Sequence, residues 1–149
     1  MKDGVILKVS FLTSFILYLT LLAYYLPKFT IFGNYLPVEV SLTNILLKNS
    51  FTYLCHLLLP FLLPLYLWVD VSQLEGLKKF VLPDFNFKII VLCYVVEHAI
   101  YSLGFAYGVL LYRKRSLRIV KSKTLLVGYA ILVLFAFIEK ITVSCPRSL

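Results

Sequence analysis

Residues 89–111 read IIVLCYVVEHAIYSLGFAYGVLL, 23 positions without Lys, Arg, Asp or Pro. A helix rises about 1.5 Å per residue, so about 20 such residues match the hydrocarbon core of a bilayer. The run predicts a spanning helix. Three more runs of spanning or near-spanning length lie at about 4–26, 51–69 and 124–143. The fold expected is therefore all-α, a four-transmembrane-helix bundle in one domain covering residues 1–149. Its expected location is a membrane, as a multi-pass integral protein.

Composition agrees. Of the 149 residues, 61% are hydrophobic and 15% charged, against about 45–50% and about 25% in a soluble domain. The apolar residues come in long runs instead of stripes, which makes lipid the expected solvent. The first run is long and lacks a small-x-small cleavage site, so it reads as a retained helix and not a signal peptide.

The second run carries Pro60 and Pro64, four apart and on one helix face, which predicts a bend. Tyr66 and Trp68 sit where an interfacial aromatic belt belongs, and Asp70 closes the run. Ser72-Gln73-Leu74-Glu75 matches a capping box, with Leu74, Leu77, Phe80 and Val81 on one face opposite Lys78 and Lys79. That predicts a short interfacial helix between the second and third spans, stopped by Pro83. Residues 36–43 alternate apolar and polar, which suggests an extended loop.

The formal charge is +8, and six of the fifteen cations fall in one short segment: Arg113, Lys114, Arg115, Arg118, Lys121 and Lys123. Between two apolar runs such a segment reads as an anionic-lipid-facing loop, with membrane lipids and not nucleic acid as partner. The cations divide 2, 2, 3, 6 and 2 from N-terminus to C-terminus across the loops, so alternate segments carry seven and eight. Density then decides: the third loop is placed in the cytoplasm with both termini opposite. Cys55, Cys93 and Cys145 form no C-x-x-C and no disulfide framework.

The candidate chemistry lies in the third run. Tyr94, Glu97, His98 and Tyr101 follow i, i+3, i+4, i+7 near its middle, too deep to reach water. They form the candidate ligand-binding stripe, with Glu97 and His98 as candidate acid and base. The alternative is that Glu97 is bonded to His98 or a tyrosine and locks helices together. Gly104 and Gly108 form a GxxxG, which reads as a helix-packing seam. Ser10, Ser14 and Tyr18 recur every four residues and offer bonds to Glu97's stripe. Glu139 and Lys140 read as interfacial residues.

His56 raises bis-histidine haem b with His98. With the second span starting at Phe51 and the third antiparallel to it, the two histidines sit at depths of about 8 and about 20 Å, which disfavours a shared iron. No cofactor and no metal site are expected. No zinc-protease, serine-hydrolase or phosphate-loop motif appears.

Three functions follow as expectations. The first is a small non-catalytic subunit or assembly factor packed on other membrane protein subunits. The second is a four-helix chamber for a lipid or sterol, isomerase-like if Glu97 and His98 act as acid and base, which would share only its plan with the four-helix sterol isomerases. The third is a haem b-binding or proton-transfer subunit.

Overall fold

The computed structural model describes residues 3–28, 41–77, 84–115 and 122–144, and these are helical with no strand among them. The helices are α1 (Asp3–Tyr25), α2 (Leu42–Leu58), α3 (Leu63–Leu77), α4 (Asp84–Lys114) and α5 (Lys123–Ser144). A 3-10 turn, Leu26–Lys28, follows α1, and another, Pro60–Leu62, joins α2 to α3. Three segments, Asp3–Lys28, Phe87–Lys114 and Lys123–Thr142, are individually long and apolar enough to cross a membrane. The pair Leu42–Leu58 and Pro60–Glu75 passes the same measure only jointly, across a 110° bend.

That bend corrects the expected second span of 51–69. Helix α2 begins nine residues earlier and stops at Leu58. Leu59 leaves the helical region, with φ −130° and ψ 54°, and Pro60 opens the next turn. Proline has no N–H and its ring clashes with the preceding turn, so α2 cannot continue through it. Pro64 sits in the first turn of α3, where the missing N–H costs nothing. One proline ends a helix and the other begins one.

The expected interfacial helix is also revised. Ser72 and Glu75 lie inside α3, and Ser72 Oγ donates to Trp68 O at 3.2 Å instead of capping a helix start. Leu74, 1% exposed, packs with Leu22, Tyr25 and Tyr94 in a small apolar core between α1, α3 and α4. Phe80, Val81, Lys78 and Lys79 lie outside the described residues. So does most of the alternating segment 36–43; its last two residues, Leu42 and Thr43, open α2.

Helix α4 is the hub, packing against α1, α2 and α5. Its direction relative to each neighbour follows from side-chain pairs. Lys114 forms an ion pair with Asp3, Ser102 Oγ donates to Ser14 Oγ at 3.1 Å, and His98 lies 4.5 Å from the Tyr18 ring. Moving forward along α1 therefore moves backward along α4, and the two are antiparallel. With α2 the pairs advance together: Asn49 meets Glu97, Tyr53 meets Gly104, and Leu57 meets Gly108. Helices α2 and α4 are parallel. Helix α5 runs against both, since Ser122 bonds Tyr107 and Gly128 faces Leu103 and Ile100.

This register overturns the expected orientation. The start of α1 and the end of α4 lie at one end of the bundle, with the start of α5, while the end of α5 lies at the other. The cause is the α2–α3 break. Near the break Phe61 packs on Tyr112, whereas farther along α3 Asp70 and Leu74 reach Tyr94. The chain thus descends on α2 and returns on α3, leaving at the end where it entered.

Gly104 and Gly108 mark the α2–α4 seam. A Cβ on Gly108 would lie 2.5 Å from Leu57 O and 2.8 Å from His56 O, and one on Gly104 would lie 3.1 Å from the Tyr53 ring. Backbones approach here to a distance only glycine permits at position 108. Around the seam Tyr53, Leu57, Ile100, Tyr101, Leu125 and Leu132 form the second apolar core. The outer faces are apolar as well, with Ile16, Leu126 and Ile141 more than half exposed.

Candidate functional site

The expected stripe on α4 is buried, and each of its members meets a partner from another helix or its own backbone. Tyr94 donates a hydrogen bond to Asp70 Oδ2 on α3. His98 Nε2 lies 2.9 Å from Asp70 Oδ1, and its Nδ1 lies 2.8 Å from Tyr94 O. A carbonyl oxygen only accepts, so Nδ1 carries a hydrogen. Nε2 and the Asp70 carboxyl face each other across the other contact. The alternative that Glu97 pairs with His98 does not occur, because Asp70 occupies that place.

Glu97 faces α2 instead. Asn49 Nδ2 donates to Glu97 Oε1 at 2.7 Å, and Asn49 Oδ1 accepts from Tyr101 Oη at 3.0 Å. Asn49, 2% exposed, is thus the bridge between two members of the stripe. Lys48, the next residue, lines the adjoining cavity with Glu97.

His56 forms the third group. Its Nδ1 donates to Thr52 O at 2.8 Å, leaving Nε2 to accept from Tyr18 Oη at 2.6 Å. Tyr18 therefore bonds α2 and not Glu97's stripe, while Ser14 reaches α4 at Ser102. The two histidines are not staggered in depth: Tyr18 and Tyr101 each contact both imidazoles, at centroid distances of 4.5–6.0 Å. The mismatch vanishes because α2 starts at Leu42 and runs parallel to α4. Haem ligation would still require iron to displace Tyr18 or Thr52 from His56, and Asp70 or Tyr94 O from His98. Among the described residues no cluster of three or more His, Cys, Asp or Glu has metal-binding geometry.

Beside these groups lies a cavity of about 350 Å³. Buried polar side chains, Tyr18, His56, Asp70, Glu97, His98 and Tyr101, line its inner part. Exposed Phe51, Leu65 and Val69, with Lys48 and Gln73, line its outer part. At the apex of the α2–α3 wedge, Tyr66 stacks on His56 at 4.3 Å. Its hydroxyl lies 3.0 Å from both Cys55 O and Leu59 O, carbonyls at the break that also accept from Leu59 N and Leu62 N. Tyr66 is thus a helix-end cap, whereas Trp68, read with it as belt, is 66% exposed.

Sequence reading overlooked Asp70, Asn49 and Tyr66 as parts of this cluster. A signal existed on α2, where Asn49, Tyr53 and His56 fall at i, i+4, i+7 and extend the helix upstream of Phe51. On α3, Tyr66, Asp70 and Gln73 repeat that spacing. Of the basic segment, Arg113, Lys114, Arg115 and Lys123 are exposed at the end shared with Asp3, and α4 terminates through Arg115 at φ 48°. Arg118 and Lys121 lie outside the described residues. Cys55 and Cys93 are free thiols.

Comparison with protein-family models, curated proteins and solved structures finds no match to this chain. Its function has to be argued from the cluster and the cavity.

Proposed function

We propose that the chain is a multi-pass membrane protein that holds a small lipid-like ligand in the cavity beside Asp70 and His98. Its membrane segments are α1, the α2–α3 pair, α4 and α5. The carrying observation is the cavity's composition, a buried polar wall beside an exposed and mainly apolar rim. Its volume falls in the range of about 300–1,000 Å³ usual for small-molecule sites. Large apolar side chains point outward while Asp70, Glu97, His56 and His98 are buried, the reverse of a soluble protein. Among the described residues Glu97 and His98 are the acid and base that an isomerase-like enzyme would use. Catalysis there would require the ligand to displace a bond each already makes.

A second reading has its own support. Every buried side-chain N or O among the described residues has a hydrogen-bond partner. A saturated network suits a lock that keeps a small accessory subunit rigid against larger membrane proteins. Purification in mild detergent followed by native mass spectrometry separates the two. The ligand reading expects a small-molecule mass bound to the monomer, lost on heating. A stoichiometric protein partner with no bound small molecule overturns it in favour of the accessory role.

A further inference from the structure

We infer that the cavity is loaded sideways from the bilayer, between α2 and α3, and selects a lipid with an uncharged hydroxyl or carbonyl head. This rests on the ligand-binding reading above. The geometry comes from the break. At 110° the two helices diverge, and α3 packs along α1 instead of along α2. Tyr66 closes only the apex, against His56, Cys55 O and Leu59 O. Beyond it the wedge is walled by Phe51 on α2 and by Leu65 and Val69 on α3, all exposed and all apolar. An apolar chain passing between these residues stays in contact with hydrocarbon throughout.

The selectivity comes from the inner wall. The carboxyls there already have hydrogen-bond partners: Asp70 meets His98 and Tyr94, and Glu97 accepts from Asn49, while Lys48 is exposed at the rim. The Tyr18–His56 pair adds no charge when His56 accepts. A carboxylate, phosphate or ammonium head reaching that inner wall would be stripped of water and find each carboxyl and imidazole there already bonded. A hydroxyl can donate to a carboxyl oxygen and accept from a tyrosine, so it exchanges bonds without importing charge.

The test uses the full chain in lipid nanodiscs with photoactivatable single-chain probes that differ only in the head: alcohol, carboxylate or trimethylammonium. Labelled peptides are mapped by mass spectrometry. The alcohol should label residues 41–77 and 84–115, with the charged probes about tenfold weaker, equivalent to about 1.4 kcal/mol. Val69→Trp, at the mouth, should suppress alcohol labelling; Leu65→Phe on the same arm guards against misfolding of the first. Ile131→Trp on the outer face of α5 should leave it unchanged. Equal labelling by charged heads overturns the selectivity, and labelling indifferent to both mouth variants overturns the lateral route, while the ligand reading survives either result. No probe labelling the α2–α3 segment above the α5 background overturns the ligand reading itself.

Discussion

Asp70, like Asn49, holds two buried side chains of α4 at once. It receives Tyr94 Oη on one oxygen and meets His98 Nε2 on the other, tying α3 to α4. Asn can reproduce both contacts, accepting from Tyr94 through its carbonyl and donating to a neutral His98 through its amide. Leu can reproduce neither, and it strands two buried groups at about 1–3 kcal/mol each. Thermal melting in detergent should therefore place Asp70→Asn close to the parent and Asp70→Leu far below it. Equal, large losses in both variants would mean that the charge, and not the bonding pattern, is what stabilises the site. The glycines give a second graded series. Gly108→Ala drives a Cβ into backbone carbonyls that cannot yield, Gly104→Ala meets a tyrosine ring that can shift, and Gly4→Ala meets nothing. Overpacking costs about 1–3 kcal/mol, whereas an unobstructed helical Gly→Ala gains about 0.5–1 kcal/mol. Melting temperatures should fall in the order Gly4→Ala, Gly104→Ala, Gly108→Ala, and an unaffected Gly108→Ala would remove the α2–α4 seam.

At the level of elements the break at Leu59–Pro60 governs the rest. Tyr66 shares its proton between the two carbonyls at that break, while Trp68 is mostly exposed. Tyr66→Phe should cost about 1 kcal/mol, the net worth of a hydrogen bond, and Trp68→Phe much less. Equal losses in a melting experiment would mean that both are interfacial anchors, as their spacing first suggested. Helices α1, α4 and α5 were legible because a continuous apolar run has one helical reading, and their observed ends fall within a few residues of those expected. The α2–α3 pair was not. Two prolines four apart describe a kinked helix and a reversal equally well, and only the tertiary contacts of Tyr66 and Asp70 distinguish them. The stripe on α4 was readable from its period, but its partners were not, since Asn49 and Asp70 lie on helices whose boundaries had been misjudged.

For the whole molecule, the returning pair fixes which ends meet. The N-terminal eight residues and residues 112–123 together hold eight of the fifteen cations but only one of the seven carboxylates, Asp3. Among the described residues Arg113, Lys114, Arg115 and Lys123 are exposed at the end that Asp3 shares, a basic end that cation counting over four simple spans concealed. In a cysteine-free background, single cysteines at Gly4 and Arg115 should react with an impermeant reagent from the same side, and one at Lys140 from the opposite side. Gly4 labelling with Lys140 instead would restore a straight second span. The antiparallel pairing of α1 with α4 also has a consequence in time. Ser14 waits for Ser102, 88 residues later, and Asp3 for Lys114, 111 residues later. At the usual pace of synthesis, Ser14 is without its partner for roughly 4 to 18 s, in the bilayer on the membrane reading proposed above. Throughout that interval the first helix is an unassembled client, open to chaperones and to quality-control proteases. The emergence of α4 releases it, so chains arrested before Ser102 should be degraded much faster than chains arrested after Lys114.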